Sequence, residues 1–98
     1  MFKDLTLVIP THNRPKRLRR ILEYYSEIEI RIMICDSSKD KFPKKYLGKN
    51  VKHFHYKNWP YSKKLSNCIK KVKTKYLLIC ADDDFIIPSA IKKCIDFL

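Results

Sequence analysis

The sequence predicts an α/β domain of Rossmann-like type: a mainly parallel sheet of about four strands, in the expected order 3-2-1-4, flanked by helices. Three observations carry this. Short apolar runs bounded by charge alternate with stretches whose apolar residues recur at i, i+3, i+4 and i+7. The stretches joining the runs are long enough to be crossover helices, which imply parallel pairing and right-handed connections. Three of the runs end in polar or acidic residues, at the edge where open α/β sheets hold ligands.

Residues 5–10, Leu-Thr-Leu-Val-Ile-Pro, read as the first buried strand, ended by Pro10. Thr11, His12, Asn13 and Arg14 form a turn, with Asn13 a candidate helix N-cap and Pro15 suited to a first helical turn. A helix follows to about Ser26, with Leu18, Ile21, Leu22 and Tyr25 on one face. Lys16, Arg17, Arg19 and Arg20 make the rest of its first half basic, either a solvated face or one drawn to phosphates or an anionic membrane.

Residues 29–36 read as a second strand ending in Asp36, with Ser37, Ser38 and Asp40 as turn formers. Residues 39–50 are Lys-rich and suit a loop or short irregular helix. Residues 51–56 alternate in polarity, as an edge strand does. His53 and His55 share a face there, but with no third ligand nearby they read as edge-strand residues rather than a metal pair. After an aromatic turn (Asn58, Trp59, Pro60, Tyr61), Ser62 can cap a second helix with Leu65, Cys68, Ile69 and Val72 on one face.

The chain is organised around residues 76–84, Tyr-Leu-Leu-Ile-Cys-Ala-Asp-Asp-Asp. Its first six residues do not alternate and read as a strand buried on both faces. The three carboxylates that follow repel one another, and dehydrating them is costly unless a cation is present. They suit a divalent-metal site at the carboxyl edge of the sheet, or a solvated turn. Phe85 to Pro88 then turn into a last helix with Ile91, Cys94, Ile95 and Leu98 on one face. A 3-2-1-4 order brings the Thr11–Arg14 turn, Asp36 and the acidic triplet to one edge.

Ninety-eight residues allow one small domain, and 45% hydrophobic residues suffice for a core. One glycine leaves no phosphate-cradling glycine loop, which excludes P-loop NTPases and dinucleotide-binding dehydrogenases. The net charge of +12 permits polyphosphate, nucleotide, nucleic acid or anionic membrane partners and selects none. The four cysteines, Cys35, Cys68, Cys80 and Cys94, have no Cys-x-x-Cys spacing and sit in apolar patterns, so buried free thiols in a reducing, cytoplasmic setting are expected. No apolar run reaches the length of a membrane span.

These motifs resemble the family 2 glycosyltransferases of the GT-A fold. The resemblance rests on Val8-Ile9-Pro10-Thr11-His12-Asn13-Arg14, on Cys35-Asp36-Ser37-Ser38, on Asn67, and on the run from Lys75 to Pro88 that holds Asp82-Asp83-Asp84. It implies that residues 1–98 are the nucleotide-sugar-binding half of such a domain. Pro10, Thr11, Asn13, Arg14, Asp36, Asn67 and Asp82 would line the nucleotide, with Asp36 accepting from the base edge and Asp82 near the ribose. Asp83 and Asp84, in an Asp-x-Asp-like motif, would hold Mg²⁺ or Mn²⁺, whose charge offsets that of the departing diphosphate. Lys63, Lys64 and Arg14 are cationic candidates by proximity.

The implied activity is metal-dependent, inverting transfer from a nucleotide sugar, UDP-sugar above all, in polysaccharide or glycolipid synthesis. The acceptor is unassigned. No remaining acid has a spacing that nominates a catalytic base, so the piece is expected to be an incomplete domain, inactive alone. Peripheral contact with the inner face of an anionic membrane, and self-association through an open edge beside the fourth strand, are further expectations. Two readings compete. A basic nucleic-acid-binding α/β module would use Tyr56, Trp59 and Tyr61 among Lys57, Lys63 and Lys64, but an acidic ligand edge disfavours it. A receiver-like domain would need acids after the first strand, where Thr11 to Arg14 stand.

Overall fold

One parallel sheet, in the order β3-β2-β1-β4, carries the molecule. The computed structural model describes residues 2–98. In chain order the elements are β1 (Leu5–Thr11), α1 (Pro15–Tyr25), β2 (Arg31–Asp36), a 3-10 turn (Lys44–Tyr46), β3 (Val51–His55), α2 (Tyr61–Ile69), β4 (Tyr76–Ile79) and α3 (Pro88–Phe97). The expected fold class and strand order are those observed.

β1 and β2 are central, so both of their faces are covered. Leu7, Ile9, Ile32 and Ile34 enter the larger core with Leu18, Ile21, Leu22 and Tyr25 of α1 and Ile91 of α3. Val8, Met33 and Cys35 alternate onto the opposite face and meet Cys68 of α2. The α1 stripe is the one its spacing predicts, and burying each such side chain contributes about 1.5–3 kcal/mol. The basic residues between the stripe positions point outward, where Arg19 pairs with Glu23 at 3.5 Å.

Four local expectations need correction. Asn13 does not cap α1: its φ is +53°, a left-handed conformation that Asn tolerates, and Arg14 stands at the cap ahead of Pro15. Ser62 lies inside α2, which starts one residue earlier behind Pro60. The fourth strand lies at the sheet edge, as the 3-2-1-4 order implies, but is not buried on both faces as its apolar run suggested. Tyr76 and Leu78 pack on the larger core, while Leu77 and Ile79 are 38% and 42% exposed because α2 covers only the central strands on that side. Among the described residues no strand pairs with the outer edge of β4, where an open edge was expected.

The fourth correction concerns the thiols. Cys35 and Cys68 are joined as a disulfide between β2 and α2, with Cα atoms 6.3 Å apart, within the range a disulfide spans. Cys80 is a buried free thiol, as expected, but Cys94 is exposed on α3. Among the described residues no helix is long and apolar enough to cross a membrane.

Candidate functional site

The carboxyl ends of β1, β2 and β4 meet where β1 parts β2 from β4, the switch point of the sheet. Parallel register puts Thr11 beside Asp36. The Thr11 hydroxyl donates to Asp82 Oδ2 at 2.8 Å, and Arg14 Nη1 lies 3.3 Å from Asp82 Oδ1. Asp82 is buried, so each carboxylate oxygen has a donor within the chain.

Asp36 is also buried and doubly held. Its Oδ1 accepts from the Ser38 backbone N–H at 2.8 Å, an Asx-turn, and its Oδ2 lies 2.8 Å from His53 Nε2. Burial alone would raise its pKa, but the hydrogen bonds from His53 and Ser38 outweigh it and hold the carboxyl below the usual value. His53 is therefore more than an idle edge residue. In the parallel register Ile34 faces His53 and Asp36 faces His55, so His53 reaches Asp36 along the diagonal. His55 Nε2 bonds the Ser38 carbonyl at 2.7 Å.

Lys64 enters this cluster from α2, with its side chain buried. Its ammonium donates to the Thr11 carbonyl at 2.7 Å and to Ser37 Oγ at 2.8 Å. Burial lowers its pKa, while the nearby charges of Asp36 and Asp82 pull the other way. Ser37 Oγ also lies 2.9 Å from His12 Nδ1. The signal for Lys64 was present in the sequence: it stands one turn before Cys68, at i and i+4, on the same inward face.

The acidic loop is held from α1. Tyr25 Oη accepts from the Ile86 N–H at 3.0 Å, and Tyr24 Oη donates to the Ile86 carbonyl at 3.0 Å. Burial pushes the Tyr25 phenol up, well above its usual value. Asp83 and Asp84 stay exposed on this loop, Asp83 with Arg17 at 3.7 Å. Among the described residues no three His, Cys, Asp or Glu side chains gather as a metal site. Two hard carboxylates fit Mg²⁺ or Mn²⁺ only if ligand oxygens and water complete the shell.

Two hollows flank the cluster. One, of about 290 Å³, is lined by Thr11, Asn13, Arg14, Asp36 and Phe42. The other, of about 330 Å³, is lined by Pro10, Thr11, His12, Lys64 and Asp82. Six of the seven expected nucleotide-lining residues thus border this edge. Asn67 does not line either hollow; it is half-buried on α2 and accepts from the Tyr56 hydroxyl at 3.3 Å. Tyr56 and Trp59, the candidate base platform, stack on each other at 4.6 Å.

The fold and the site define a Rossmann-like α/β protein with a polar crevice at the switch point of its sheet. The sequence model of glycosyl transferase family 2 matches residues 6–98, and the chain belongs to that family. No curated protein and no solved structure gives a significant match.

Proposed function

We propose that this chain binds the nucleotide part of a sugar donor, UDP-sugar first among candidates, at the carboxyl edge of the sheet for transfer by a family 2 glycosyltransferase. The observation that carries this reading is the joining of Thr11, Asp36, Lys64 and Asp82, from β1, β2, α2 and the loop after β4, around two adjacent hollows. Asp36 keeps acceptor capacity beyond its two bonds and can take a donor from a base edge. Arg14 and Lys64 bring positive charge to the diphosphate, and Thr11 and Asp82 fix the pocket wall between them.

Asp83 and Asp84 would hold Mg²⁺ or Mn²⁺ beside that diphosphate. The ion supplies charge neutralisation for the leaving group. The chain's own contribution is to keep Asp82 turned inward on Thr11 while its two neighbours face solvent. In this reading the crevice holds the donor, and no residue is assigned as the base that would deprotonate an acceptor. The uncovered edge of β4, with Leu77 and Ile79 beside it, favours self-association, which sedimentation across a concentration series measures.

Calorimetric titration with UDP, with and without Mn²⁺, tests the reading. Metal-dependent binding that Asp83→Ala removes is expected; no UDP binding under any metal condition defeats it. The nucleic-acid alternative is weaker because Tyr56 and Trp59 are stacked together and the Tyr56 hydroxyl is tied to Asn67 and Lys71.

A further inference from the structure

A further hollow, of about 450 Å³, opens at the opposite, amino-terminal edge of the sheet. Each segment that starts a strand there brings cations: Lys3 before β1, Arg31 on β2, Lys49 and Lys52 around the start of β3, and Lys71, Lys73 and Lys75 in the connection to β4. All seven are exposed, and among the described residues none is in an ion pair. Among the described residues Asp4 is the one carboxylate in the lining, and Glu29 borders an adjoining hollow. A concavity with an excess of six positive charges focuses its field on whatever enters.

The chemistry of the lining narrows the ligand. Six of the seven cations are lysines, flexible point charges that meet phosphate oxygens from any direction. Among the described residues no aromatic side chain lines the hollow to stack a base, which sets it apart from single-strand nucleic-acid grooves. Thr6, Thr74 and Asn50 add neutral hydrogen-bonding groups. The site is remote from the donor edge: Thr6 and Thr11 lie five residues apart on β1, about 16 Å of strand.

From this geometry we infer a second anion site, for a ligand carrying several clustered phosphates, whether a soluble phosphate ester or a phosphorylated lipid headgroup. It acts independently of the nucleotide edge, and occupancy relieves the mutual repulsion of the seven lysine and arginine heads.

The test uses the full chain and inositol hexakisphosphate as the soluble probe. Two triple variants carry the same change in net charge: Lys52→Glu, Lys73→Glu and Lys75→Glu in the hollow, and Lys16→Glu, Arg20→Glu and Lys93→Glu on α1 and α3. Binding that excess UDP does not displace, that weakens roughly tenfold or more in the hollow variant and changes little in the control, is expected. Vesicles of phosphatidylcholine with and without phosphatidylinositol bisphosphate separate the sources: flotation with the phosphorylated lipid assigns a headgroup, and binding confined to the soluble probe assigns a free phosphate ester. Absence of binding, equal loss in both variants, displacement by UDP, or tighter binding to single-stranded DNA through the same lysines would each overturn the inference.

Discussion

The Thr11 hydroxyl and the Asp82 carboxylate are joined across 2.8 Å in the interior although 71 residues separate them in the chain. That bond fastens the end of β1 to the loop carrying the acidic triplet. Thr11→Val keeps the shape and deletes the donor, leaving a buried carboxylate oxygen unsatisfied. A loss of about 1–3 kcal/mol in urea unfolding is expected, together with weaker UDP binding. Thr11→Ser restores the hydroxyl and should recover most of both. Equal stability of Thr11→Val and the parent chain would remove the bond from any account of the site.

Asp36 makes stability depend on acid in a definite direction. Its folded pKa lies below the ordinary 3.8, because the bonds from His53 and Ser38 outweigh the effect of burial. Between the ordinary value and the folded one, the unfolded chain binds more protons, so stability rises with pH there. The contribution is complete above the ordinary carboxylate range and is lost as pH falls through the lower, folded value. Asp36→Asn should cost stability at neutral pH and flatten this acid limb in denaturation series. His53→Ala should shift the limb of the parent toward higher pH, since the Asp36 carboxylate then loses one of its two donors.

The strands and the first helix were legible because the apolar pattern dictates them: Leu7, Val8 and Ile9 are buried as one continuous run, and Leu18, Ile21 and Leu22 where period 3.6 puts them. The gathering of Thr11, Asp36 and Asp82 at one edge was legible because strand order alone brings them together. The misreadings share one cause, that local pattern does not report the neighbour. Tyr76 to Ile79 look like a strand covered on both faces, yet α2 packs on β1 and β2 and leaves the Leu77 and Ile79 face of β4 open. Cys35 and Cys68 each look like isolated apolar thiols, and only the packing of α2 on β2 brings them together. Lys64 sits in a Lys-rich stretch whose other members are solvated, and its burial follows from helical phase rather than from composition.

Thiol counting checks the cysteine arrangement directly. The exposed Cys94 should react with an aromatic disulfide reagent in the native chain, while Cys80 stays protected. Unfolding without reductant should then release two reactive thiols per chain, and unfolding with reductant four. Reduction should also lower stability by about 2–4 kcal/mol, because the link closes a loop with a separation of 33 residues. Four reactive thiols in the unreduced, unfolded chain would show Cys35 and Cys68 unlinked.

Lys64 offers the sharpest separation of charge from scaffold. Its ammonium bridges the Thr11 carbonyl at the end of β1 and Ser37 just past β2, and it faces the carboxylates of Asp36 and Asp82. Removing the charge in Lys64→Met relieves the desolvation cost of a buried cation but leaves two buried carboxylates with less compensation, so the net change in stability should be modest. Affinity should change more. UDP, an anion, should bind Lys64→Met about tenfold more weakly, whereas uridine, which lacks the phosphates, should lose far less. Lys64→Arg keeps the charge and should retain UDP binding in part. The alkaline limb gives a second readout. Burial lowers the folded pKa of Lys64 below its ordinary 10.5; in the window between the two, the unfolded chain binds more protons and stability rises with pH. Across that window the parent chain should gain stability relative to Lys64→Met while its hold on UDP declines as the ammonium is lost. Parallel losses of UDP and uridine binding in Lys64→Met would make the residue a strut between β1 and β2 with no electrostatic part in holding the donor.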